Sequence, residues 1–88
     1  MKLRYLKSFL RDLEKLKDKK TKQQIKAQIE QIKSAEKQSE ITQLKKIKGH
    51  PYAYRIRIGN YRMGLFIEKD VVTFVRFVKR NDIYKLFP

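Results

Sequence analysis

At 88 residues the chain has room for one domain and one modest core. It has no cysteine, which excludes disulfides and thiolate metal sites, and its formal net charge of +14 exceeds what solubility alone requires. That charge predicts a polyanionic partner, either nucleic acid, an acidic protein or an anionic membrane surface. No run is apolar enough for a secretory leader or a bilayer span, so a cytoplasmic protein is expected.

Lys2–Leu6 (KLRYL) is a short, weakly marked first strand. Ser8 suits a helix N-cap, and Phe9, Leu13 and Leu16 follow at helical spacing. Between Gln23 and Ala35, Ile25, Ile29, Ile32 and Ala35 form a narrow apolar stripe on a surface of Lys, Gln and Glu. The two segments predict an antiparallel helical hairpin around KDKKTK, with its apolar faces turned to a core rather than a membrane. Ser34 to Glu40 is a polar connector. Ile41, Leu44 and Ile47 recur every three residues, which predicts a short helical turn ending at Gly49. His50-Pro51 breaks the chain, because a residue before proline is pushed to extended geometry.

After Pro51 the period becomes two. Tyr54, Ile56 and Ile58 alternate with Arg55 and Arg57; Gly59-Asn60 is a turn; Tyr61, Met63, Leu65 and Ile67 alternate with Arg62, Gly64 and Phe66. Val71–Val78 is a near-continuous β-branched and aromatic run, read as a central strand. Asn81-Asp82 ends it, and IYKLFP closes the chain as a short turn or helix. The pattern predicts a single α+β domain over residues 1–88, an N-terminal helical hairpin packed on one face of a small antiparallel sheet. The other sheet face is left for function.

The basic residues are segregated. Thirteen of the 16 lysines precede Gly49, while five of the seven arginines follow it. Lysine is a hydrated point charge, whereas the arginine fork grips phosphate through two hydrogen bonds. Across a two-residue Gly59-Asn60 loop, Arg57 faces Arg62, and Arg55 faces Gly64, which leaves an open floor. Arg55, Arg57 and Arg62 then share one face with no acid among them. Each close like-charge pair costs about 0.2–1 kcal/mol, and a bound phosphate would reverse that sign.

Arg76 depends on the next turn. A two-residue loop at Lys69-Asp70 would send it to the apolar face, while a three-residue loop over Glu68–Asp70 would set it beside Arg62. The cost of burying an unpaired charge favours the longer loop. Lys79, Arg80 and Tyr84 lie just past the central strand. Tyr84 either stacks on a nucleobase or packs on Phe87. One histidine and scattered carboxylates give no metal site, no motif calls for a cofactor, and His50 reads as a loop residue. Chemistry must then rest on arginine, lysine and tyrosine. That suits RNA, whose 2′-hydroxyl can attack the adjacent phosphate if the groups are aligned and the added charge is stabilised.

The stretch LKKIKGHPYAYRIRIGNYRMGLFIEKDVVTFVRFVKRNDIYK, preceded by SFLRDLEKL, resembles the RelE/ParE superfamily of toxins from type II toxin–antitoxin modules. The RelE branch cleaves mRNA on the ribosome. The resemblance implies that Arg62 stabilises the transition-state phosphate and that Arg80 acts on the leaving side. It implies that Arg55 and Arg57 orient the RNA or assist proton transfer, and that Tyr84 stacks on a base. Arg76 and Lys79 are expected to add RNA contacts. The implied partners are an antitoxin, the ribosome and mRNA. Lys79 stands where many relatives have histidine, and Arg55 and Arg57 stand where relatives use lysine, which leaves the general base open. The ParE branch, which poisons DNA gyrase, and a non-enzymatic nucleic-acid-binding module are the alternatives.

Overall fold

The computed structural model describes all residues, Met1–Pro88. In chain order the elements are β1 (Lys2–Tyr5), α1 (Lys7–Glu14), α2 (Lys19–Ser34), a 3₁₀ turn (Gln38–Glu40), β2 (Leu44–Lys46), β3 (Ala53–Ile58), β4 (Tyr61–Glu68), β5 (Val71–Lys79) and α3 (Ile83–Leu86). The strands form one sheet in the order β1-β5-β4-β3-β2. The sheet is mixed rather than purely antiparallel, because β1 runs parallel to β5 with Arg4 opposite Thr73. The α+β expectation holds, with α1 and α2 on one face.

α1 starts two residues earlier than its sequence suggests. Leu6 occupies the N-cap position and offers no side-chain cap. Ser8 lies inside the helix, and its hydroxyl donates to the Val75 carbonyl at 2.6 Å. α2 is capped by Asp18, whose carboxylate accepts from the Lys20 amide at 3.1 Å and the Thr21 hydroxyl at 2.7 Å. These bonds to the charged form hold the Asp18 carboxyl below its ordinary pKa, the Thr21 hydroxyl contributing most. The helical turn expected at Ile41–Ile47 is instead strand β2, where Leu44 pairs with Ile56. A three-residue repeat in so short a segment was outweighed by the edge of β3, which offers unpaired backbone groups.

The main core lies between the helices and the sheet. Phe9, Ile25 and Ile32 pack on Ile56 and Ile58 of β3, Met63 and Leu65 of β4, and Phe74 and Phe77 of β5. α1 lies against β5 and α2 against β3. A second, smaller core occupies the far face. There Ile47, Ala53, Ile83 and Phe87 are buried together, with Phe66, Val75 and Val78 packed around them. The far face is therefore not wholly open, since α3 covers its middle. Nor is Gly64 a bare floor. A Cβ at that position would stand 2.7 Å from the Phe87 ring, so glycine is what lets the ring lie flat on β4.

The β4–β5 turn is also resolved differently. Glu68 pairs with Val71, so the loop is the two residues Lys69-Asp70 rather than three. The register then shifts, from Leu65↔Phe74 to Gly64↔Arg76, with Val75 as the extra residue. This bulge has a packing cause. Phe74 and Phe77 are three apart, yet both must enter the main core, and only an inserted residue brings both inward. Arg76 thereby reaches the row beside Arg62 by a different route.

Candidate nucleic-acid interface

The interface is built on the β3–β4 hairpin. Its register is the expected one, with Arg57 opposite Arg62, Arg55 opposite Gly64 and Ile58 opposite Tyr61. Gly59 has φ +57 and Asn60 has no positive φ, the pattern of a turn that requires positive φ only at its first residue. The turn positions two arginines through its carbonyl groups. Arg62 Nη1 donates to the Gly59 oxygen at 3.1 Å and the Tyr61 oxygen at 2.9 Å. The Arg80 amide donates to the Asn60 oxygen at 2.8 Å, which ties the end of β5 to the same turn.

Arg62 is the centre of the group. Burial lowers its pKa from the ordinary value, and the nearby charges of Arg57, Arg55 and Arg80 lower it further, while Tyr84 acts in the opposite sense. Four guanidinium groups thus converge with no carboxylate in ion-pair contact with any of them. The Arg55 guanidinium carbon lies 5.9 Å from the centre of the Tyr84 ring. Tyr84 is 64% exposed, whereas Phe87 is buried in the second core. The tyrosine therefore presents a ring to solvent rather than packing on Phe87.

Two expected members stand apart. Arg76 makes a two-pronged bond to Asp12 of α1, at 2.8 and 3.2 Å. Asp12 also accepts the Phe77 amide at 2.9 Å, so it closes the edge of β5 that β1 leaves unpaired. Lys79 pairs with Tyr61, which stacks on Phe77 on the helix side. Lys79 consequently projects from the opposite face to Arg62. Sequence reasoning missed Asp12 and the packing of Phe87 on Gly64. Ser8 and Asp12 are four residues apart on one flank of α1, a spacing that places both against a single strand edge. No three His, Cys, Asp or Glu side chains are grouped to hold a metal ion, and no helix is long and apolar enough to cross a membrane.

Residues 3–84 match the family model for the ParE toxin of the type II toxin–antitoxin system parDE. The chain belongs to this toxin family. Among curated family relatives, Toxin RelE3 of Methanocaldococcus jannaschii is 36% identical over 89 residues, covering all of both chains. The toxin fold of the RelB-RelE antitoxin-toxin complex from Methanococcus jannaschii superposes with a TM-score of 0.79 at 34% identity, covering 97% of this chain and 99% of that one. The isolated E. coli RelE toxin shares the fold, with a TM-score of 0.65 at 23% identity over 96% of this chain and 90% of that one.

Proposed function

We propose that this chain is the toxin of a type II toxin–antitoxin pair, acting in the cytoplasm as an endoribonuclease that cuts mRNA on the ribosome. One observation carries the reading: Arg55, Arg57 and Arg80 all act on Arg62, with no carboxylate paired to any of them, beside an exposed tyrosine. In this reading Arg62 stabilises the charge that builds on the phosphate when the 2′-hydroxyl attacks. Arg55 and Arg57 grip and orient the RNA, Arg80 assists on the leaving side, and Tyr84 stacks on a base. Lys79 adds positive potential from the rim, whereas Arg76, paired with Asp12, serves the scaffold rather than the RNA. The RelB-RelE complexes of relatives support an antitoxin as partner, with acidic character suited to the +14 charge.

The test is brief expression followed by mapping of 5′ ends on a translated message. Codon-phased cuts that vanish in Arg62→Ala and Arg80→Ala are expected. Intact messages accompanied by double-strand DNA breaks would replace this reading with gyrase poisoning, which the ParE family model keeps in view.

A further inference from the structure

Beside the arginine cluster lies an open groove of about 660 Å³ between α2 and the β3–β4 turn. Its wall on α2 is a row of amides, Gln24, Gln28 and Gln31, spaced four and three apart on one helix flank. Thr42 and Gln43 form the opposite lip, and Arg57 and Gly59 line the end nearest the cluster. The groove exists because the β2–β3 ladder stops at Leu44↔Ile56, so no strand covers β3 beyond Ile56.

The amides are not equally committed. Gln31 is fixed, its Nε2 donating to the Glu40 carbonyl at 2.7 Å and its Oε1 accepting the Thr42 amide at 3.1 Å. Gln28 Nε2 has only long contacts, at 3.4 Å to Gln31 Oε1, 3.5 Å to the Thr42 carbonyl and 3.4 Å to its hydroxyl. Bonds of that length are easily exchanged for better ones. Gln24 and Gln43 are exposed to solvent. A phosphate needs only donors. A side-chain amide offers a donor and an acceptor together, which is what a base edge presents.

We propose that this groove takes the base of a nucleotide adjoining the phosphate held at Arg62 and selects it through Gln28 and Gln43. The proposal rests on the RNA-cleaving reading above. Arg57 is the link, since it lines the groove and also acts on Arg62.

The test uses ¹⁵N-labelled full chain titrated with uncleavable 2′-O-methyl trinucleotides of A, C or U near physiological ionic strength. The side-chain amide signals of Gln28 and Gln43 should move, and the three affinities should differ by about tenfold. The Gln28→Ala/Gln43→Ala double variant should level those affinities while still binding through its arginines. Movement of arginine Nε–H signals with the glutamine signals still would overturn the groove and leave the nuclease reading standing. Equal affinities in the wild type, or no binding, would also overturn it. The message mapping described above fails or succeeds separately.

Discussion

Arg62 and Arg76 occupy neighbouring rows of the same sheet, yet they have opposite fates. Arg76 meets Asp12 in a two-pronged ion pair, and Asp12 is 8% exposed at its side chain, so the charge is spent on holding α1 to β5. Arg62 bonds only to carbonyl oxygens and lies among three other arginines and Tyr84. The residue type is the same, and the difference lies in the partner supplied. An arginine given a carboxylate joins the scaffold, whereas one given dipoles keeps its charge for a ligand.

The largest effect expected from breaking this contrast is on cutting. Arg62→Ala should lower message cleavage by about 10²–10³-fold, as loss of a transition-state donor does. Its urea midpoint should equal or exceed that of wild type, because a repelling charge has gone. A clear fall in the midpoint would make Arg62 a structural residue like Arg76. Next in size, Asp12→Ala should cost about 2–4 kcal/mol in urea unfolding, since it strands Arg76 and frees the Phe77 amide. A change below about 0.5 kcal/mol would show the pair to be no more than a surface contact.

Gly64→Ala should cost about 1–3 kcal/mol and loosen α3, because the new methyl meets the Phe87 ring. Faster amide exchange at Ile83–Phe87, with the main core unchanged, would confirm that the far face is held separately. The smallest effect concerns Asp18. Its pKa is depressed in the folded chain, so its contribution is present above the ordinary aspartate value and is lost as pH falls through the folded value. Wild type should melt slightly above Asp18→Ala at neutral pH, and the two curves should merge in acid. A gap unchanged by acid would mean the cap does not depend on the charged carboxylate.

Much of this contrast was legible in the residues. The alternation of Tyr54 to Ile58 and the Gly59-Asn60 turn set the hairpin register, and with it the facing of Arg57 and Arg62. The bulge at Val75 was harder to read. A strand apolar on both faces carries no period-two signal, so a register shift within it leaves no mark. Strand β2 was missed because three residues are too few to separate periods of two and three. The fate of Arg76 depended on an acid 64 positions away. Local spacing cannot reveal a partner at that separation. The family resemblance, confirmed over residues 3–84, rested on the order of the hairpin and the arginine-then-tyrosine ending rather than on any single motif.

The Gly59–Tyr61 turn has a consequence for how the protein can vary. Its anchors for Arg62 and Arg80 are main-chain oxygens, which every amino acid carries and no accessible pH protonates. A side-chain anchor would change with each substitution, and an acidic one would compete with phosphate for the same guanidinium. Replacements at Asn60 that preserve the turn should therefore leave the anchoring intact. What this corner must keep is a backbone path with the positive φ of Gly59, and the side chain at Asn60 can change without touching the anchors.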